Sequence, residues 1–173
     1  LENYNRSPEE IQSIFTIIVE QAESSIPQFK EQGVKVRFLG DIQRAPKHVQ
    51  EAIERIESQT VNGTNLRLNV LFCYGGRQEI IAAVNRIVED TKAGKITKPL
   101  TEDLFKHYLW TSDLPDPDLI IRTGGAKRLS NFLTYQTVYS ELYFTDRLWP
   151  DLTAQDLDHA LEEYHLRTRN FGS

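Results

Sequence analysis

The sequence predicts an α/β layer fold, with a mainly parallel central sheet flanked by helices and all 173 residues in a single domain. Three observations lead there. Short β-rich runs alternate along the chain with amphipathic helical stretches, the pattern of crossover-connected parallel strands. Hydrophobic residues make up 39% and charged residues 26%, enough apolar surface for one domain core. No internal repeat, low-complexity segment or linker interrupts the alternation.

The elements follow in order. Ser7-Pro8-Glu9-Glu10 reads as a capping box with proline at the first helical position. Ile11, Phe15, Ile18, Ala22 and Ile26 then recur at helical spacing, widened by Ile14 and Val19, and Gly33 marks the stop. Val34–Leu39 alternates as a strand. Pro46–Ser58 is a second amphipathic helix with Val49, Ala52, Ile53 and Ile56 on one face. Leu66–Phe72 is the next strand, closed by Tyr74-Gly75-Gly76. Glu79–Thr91 is helical, and Thr101 caps a short helix to Leu109. Asp118–Ile121 and Glu141–Thr145 are short apolar runs of the kind buried in parallel sheets. Thr153–Leu166 closes the chain as a helix.

The net charge of −5 gives no general attraction to nucleic acid, so any anion site must be a local cluster of cations. One cysteine, Cys73, excludes an internal disulfide and fits a reducing cytoplasm. Without a partner in sight it reads as a small buried hydrophobe. His48, His107, His159 and His165 show no metal-ligand spacing with it. No run approaches the ~20 apolar residues of a membrane span. The chain has no methionine and begins at Leu1, which leads us to expect residues before it.

In open parallel sheets, ligands bind beyond the carboxyl ends of the strands. Two glycine-bearing strand ends qualify, Tyr74-Gly75-Gly76-Arg77 and Arg122-Thr123-Gly124-Gly125. The first lacks the lysine of a phosphate loop and the third glycine of a dinucleotide fingerprint, and reads as a structural turn. The second opens the segment IRTGGAKRLSN, Ile121–Asn131. Glycines there allow close backbone approach, exposed N–H groups could cradle an oxyanion, Arg122 and Arg128 offer forks matched to phosphate, and Ser130 adds a hydroxyl. On spacing alone a diphosphate site and a solvated basic turn are equally good readings. Glu141, which opens the last strand near the same sheet end, could hold Mg²⁺ beside phosphates; a salt bridge to Arg122 or Arg128 is the plainer alternative. Arg6, just before the first helix, could face a second phosphate. The apolar stripe of that helix is either core packing or the lining of a tunnel, with Phe15 and Ile18 the candidates.

Taken together, several motifs resemble one family. Glu2-Asn3-Tyr4-Asn5-Arg6-Ser7 resembles its E-N-W-x-R segment. Tyr74–Ile80 is similar to its Y-G-G-R-x-E-I segment, and Asp118–Phe132 to its D-L-x-I-R-T-x-G-E-x-R-x-S-N-F segment. Ser140–Phe144 and Leu148–Asp151 resemble S/A-E-x-Y-F and L-W-P-D. By these, in order along essentially the whole chain, it is identified as a member of the cis-prenyltransferase family, which includes undecaprenyl diphosphate synthase.

The resemblance implies a homodimeric α/β enzyme with a hydrophobic tunnel. It implies Mg²⁺-dependent condensation of isopentenyl diphosphate with an allylic diphosphate primer, forming a cis double bond. It implies that Arg122, Arg128 and Ser130 bind isopentenyl diphosphate, that Glu141 helps hold Mg²⁺, and that Asn3 and Arg6 serve the allylic side and the reacting centre. A cytoplasmic enzyme, peripheral to the membrane through its product, is the matching location. Three departures stand out. The family's D-G-N-x-R-W motif, which carries its principal Mg²⁺ ligand, is absent, so the expectation is that it lies before Leu1 and that this chain alone is inactive. Ala126 stands where the family has glutamate. Asn170-Phe171-Gly172 replaces its R-x-G. The competing reading is a non-catalytic partner subunit, which Ala126 and Asn170 favour and the retained arginines oppose. A nucleotide-binding module lacks the motifs it needs.

Overall fold

A computed structural model describes residues 7–167. The chain divides into two compact units, Leu1–Ser112 and Asp113–Ser173. Among the described residues each contains one pair of parallel strands.

In the first unit the elements are α1 (Pro8–Ser24), α2 (Ile26–Glu31), β1 (Val34–Leu39), α3 (Lys47–Thr60), β2 (Leu66–Leu71), α4 (Gly76–Lys92) and α5 (Glu102–Lys106). The Ser7 side chain accepts from the Glu10 amide at 3.3 Å, so the expected cap is present. The expected single helix to Gly33 is two. Pro27 has no N–H to give the Glu23 carbonyl, so the ladder breaks at Ser25 and restarts with proline in the first turn. At Gly33 φ is +66°, and a Cβ there would lie 2.7 Å from Asn65 Nδ2, so glycine is required where the chain turns into β1.

β1 and β2 pair in register from Val34↔Leu66 to Leu39↔Leu71. The other side of β1 is covered by α3, whose Thr60 Oγ1 accepts from Val36 N at 3.1 Å and whose Glu57 Oε1 accepts from Phe38 N at 2.6 Å. Two strand amides that would otherwise be orphaned are thereby satisfied. Under the strands lie Val36, Val49 and Ile56, all 2% exposed or less. Full burial of such side chains contributes about 1.5–3 kcal/mol each. Phe15 belongs to this core, its ring 5.3 Å from that of Phe72, and Ile18 packs against it.

The second unit holds β3 (Leu119–Arg122), β4 (Glu141–Phe144) and α6 (Ala154–Leu166). Short strands suffice because the ladder extends past both ends: Glu141 N donates to Asp118 O and Thr145 N to Arg122 O, each at 2.9 Å. α6 is fixed by a capping box in which Thr153 and Asp156 bond each other's backbone amides. No helix among the described residues is long and apolar enough to cross a membrane.

Candidate diphosphate site

β3 ends at Arg122 and the chain enters the glycine turn. Gly124 (φ +78°) and Gly125 (φ +73°) are both left-handed, a conformation that suits glycine. Their amides do not face a ligand. Gly124 N donates to Arg147 O at 2.7 Å and Gly125 N to Thr145 O at 3.0 Å. The expected amide cradle is therefore corrected at these two positions: both donors are spent joining the turn to the loop after β4, and a Cβ on residue 125 would lie 3.0 Å from Asp146 Oδ1.

What the segment offers instead is side chains. Arg128 Nε donates to Ser130 Oγ at 3.3 Å, so two of the predicted binding residues are brought together. Ser130 accepts in that bond, and its own O–H remains available to donate. Among the described residues Arg122 is half-buried and forms no ion pair with a carboxylate. Downstream, Ser130 (φ +49°), Asn131 (φ +62°) and Leu133 (φ +46°) are all left-handed without being glycine. Three such residues within four positions are costly, of order 1–3 kcal/mol each, and concentrate where function holds a loop in shape. Asn131 tolerates the conformation through its short polar side chain. Nothing in the sequence marks Leu133.

Glu141 lies elsewhere. In the β3–β4 register it pairs with Leu119, whereas Arg122 pairs with Phe144. Three residues along a strand is about 10 Å. Parity separates them further, since Glu141 and Tyr143 share one face while Ile120, Arg122, Leu142 and Phe144 share the other. The first face is covered by α6: the Tyr143 ring meets His159 edge-on at 6.2 Å, and Glu141 Oε2 accepts from Arg167 Nη1 at 2.8 Å. The expectation that Glu141 sits at the same sheet end as Arg122 is thus corrected; parallel pairing puts the start of β4 beside the start of β3. Its salt bridge is made with Arg167, not with Arg122 or Arg128. The Glu141 hydrogen bond and charge push the Arg167 guanidinium up from its already high value.

Would Glu141 suit a cation? Oε2 is engaged, while Oε1 takes no hydrogen bond among the described residues and the side chain is 26% exposed. No group of three potential metal ligands occurs among those residues. A single carboxylate oxygen fits Mg²⁺, which binds through one or two carboxylates plus substrate phosphates. Asn3, Arg6 and Asn170 lie outside the described residues.

The first glycine-bearing strand end is a helix start. α4 begins at Gly76, three residues before its expected Glu79, with Gly75 extended as its cap and Glu79 N donating to Gly75 O at 2.9 Å. Beside it is a groove of about 420 Å³ bordered by Asp41, Arg44, Arg77, Gln78, Asn85 and Trp110. Glu79, not singled out from the sequence, is 1% exposed and accepts from Tyr74 Oη (2.6 Å), Thr111 N (3.0 Å) and Thr111 Oγ1 (2.9 Å). Its position one turn into the helix inside the Tyr74–Ile80 motif was the available signal.

Comparison with known proteins agrees over nearly the whole length. The family model described as "Putative undecaprenyl diphosphate synthase" matches residues 1–172. An isoprenyl transferase of Clostridium perfringens is 40% identical over 172 residues, 99% of this chain and 68% of that protein. The crystal structure of lavandulyl diphosphate synthase from Lavandula x intermedia, in complex with dimethylallyl diphosphate, superposes with a TM-score of 0.94 at 31% identity, covering 99% of this chain and 75% of that one. A probable undecaprenyl diphosphate synthase from Campylobacter jejuni gives a TM-score of 0.87 at 35% identity, covering 99% and 79%.

Proposed function

This chain belongs to the undecaprenyl diphosphate synthase family of prenyltransferases, and from that premise we propose that it condenses isopentenyl diphosphate with an allylic diphosphate to give a cis-polyprenyl diphosphate. The allylic C–O bond breaks and diphosphate leaves. The freed carbon bonds to the terminal alkene carbon of isopentenyl diphosphate, and a proton is lost. The observation that carries this reading is the turn after β3, where Arg128 and Ser130 touch and Arg122 has no carboxylate partner among the described residues.

Two guanidinium forks and a hydroxyl suit the oxygens of a diphosphate and hold the second substrate in place. An allylic primer is supported by the dimethylallyl diphosphate in the lavandulyl diphosphate synthase structure. Asn3 and Arg6 would serve that primer and the reacting centre. Bound Mg²⁺, with Glu141 among its ligands, would neutralise the developing charge on the leaving diphosphate. Because Glu141 and Arg122 lie on opposite faces of the strand pair, we assign Glu141 to the site of a second copy in a homodimer. Phe15 belongs to the hydrophobic core and Ile18 packs against it, which supports core packing as the role of that stripe. The enzyme would work in the cytoplasm, peripheral to the membrane that takes up its apolar product.

The test is incorporation of labelled isopentenyl diphosphate onto a series of allylic primers with Mg²⁺ present. Losing a charge-assisted contact to a phosphate costs about 2–3 kcal/mol, so Arg122→Ala should raise the KM for isopentenyl diphosphate about thirtyfold or more. An unchanged KM would remove Arg122 from the site. No extension with any primer would instead favour a non-catalytic partner subunit.

A further inference from the structure

Glu141 is not free to choose its own orientation. Arg167, the cap that follows α6, donates through Nη1 to Glu141 Oε2 at 2.8 Å and to Leu142 O at 3.1 Å. Its Nη2 lies 3.6 Å from Glu163 Oε2, one helical turn earlier. One guanidinium thus grips β4 by a side chain and a main-chain carbonyl, and α6 by a carboxylate. Its side chain is 35% exposed, so these contacts are partly open to water. The result is a Glu141 carboxylate pinned at Oε2 and open at Oε1.

We propose that Arg167 is a positioning residue that presents Glu141 Oε1 to the divalent cation of the prenyl-transfer site, an inference that rests on Glu141 being a metal ligand. Carboxylates that bind metals are characteristically held by outer partners that fix their rotamer, and removing such a partner lowers metal affinity about 10–100-fold. An arginine does this better than a lysine because its planar fork makes two directed bonds at once. The plainer role for the same contacts is to tie the end of α6 to β4. The two roles differ in what they predict for cation binding.

The experiment titrates the full protein with Mn²⁺ in place of Mg²⁺, with inorganic diphosphate present, and reads free Mn²⁺ by electron paramagnetic resonance alongside the thermal midpoint. Glu141→Gln should weaken Mn²⁺ binding. Arg167→Gln should weaken it at least about tenfold, and the double variant should bind no more weakly than Glu141→Gln alone, because the arginine acts through that carboxylate. Arg167→Lys keeps the charge and covers the case in which the glutamine variant fails to fold; its affinity should fall between wild type and Arg167→Gln. Wild-type Mn²⁺ affinity in the Arg167 variants, with Glu141→Gln still impaired, would overturn the proposal and leave only a structural tie, visible as a lowered midpoint. Wild-type affinity in Glu141→Gln would remove Glu141 as a ligand and Arg167's role with it.

Discussion

Glu79 is the most consequential buried polar residue of the first unit. Its carboxyl group accepts from a tyrosine hydroxyl, a threonine hydroxyl and a main-chain amide, tying the first turn of α4 to Tyr74 before it and Thr111 beyond α5. Tyr74 in turn meets Trp110 edge-on at 6.0 Å. Truncating Glu79 would strand buried donors where water cannot reach them, at about 1–3 kcal/mol apiece. Glu79→Ala should therefore lose about 3 kcal/mol or more of stability in urea denaturation, and Tyr74→Phe, which removes one donor along with its bond, clearly less. A loss for Glu79→Ala within about 0.5 kcal/mol of zero would show that the cluster carries no stability. At this scale the sequence was legible where partners are close in the chain. Arg128 and Ser130, two residues apart, read as one candidate group, and they touch. Glu141 and Arg167 are 26 residues apart, and nothing local announces their bond.

Periodicity made most elements readable because each is an amphipathic face that must be buried. The misplacements have local causes. Pro27 splits the first helix, and Gly75-Gly76, read as a turn, supplies the cap and first residue of α4. α6 shows an element whose start is set by charge. Asp156 accepts from Thr153 N at 2.9 Å and Thr153 Oγ1 at 2.6 Å, and lies 3.4 Å from the Arg147 guanidinium. The Thr153 hydroxyl first, then its amide, and then Arg147 hold the Asp156 carboxyl below the usual aspartate value. A carboxyl depressed in the folded state stabilises fully above its unfolded value of about 3.9, and that contribution fades as pH falls through the folded value. The helical signal of α6 should therefore weaken as acid is added below about pH 4, and Asp156→Asn should lack that acid-dependent component. Far-UV circular dichroism during acid titration measures both; identical curves would exclude Asp156 as the sensor. Thr153→Ala should cost about 1 kcal/mol at neutral pH, as a lost N-cap does.

The strand pairing of the second unit decides how a whole active enzyme could be assembled. The family resemblance implies that Arg122 and Glu141 belong to one chemistry, yet a linear sequence cannot show that β4 runs parallel to β3 with Glu141 beside Leu119. That register is a non-local fact, and it turns two neighbouring motifs to opposite faces. On the proposal that both residues serve one diphosphate–metal complex in a homodimer, they would come from different copies of the chain, as a closed two-fold dimer allows. The arrangement has a consequence that a site built within one chain does not share. At isopentenyl diphosphate concentrations well below the raised KM, Arg122→Ala and Glu141→Gln should each show little activity alone. Mixed under conditions that exchange subunits, they form heterodimers in which one site carries both lesions and the other carries neither. With random pairing half of the dimers are mixed and half of their sites are intact, so activity should recover to about a quarter of wild type. The recovery should follow subunit exchange and should vanish when both substitutions are placed in the same chain and mixed with either single variant. If the mixture stays as inactive as its components while exchange is verified by mass, the two residues act within one chain, and the in-trans role of Glu141 is excluded.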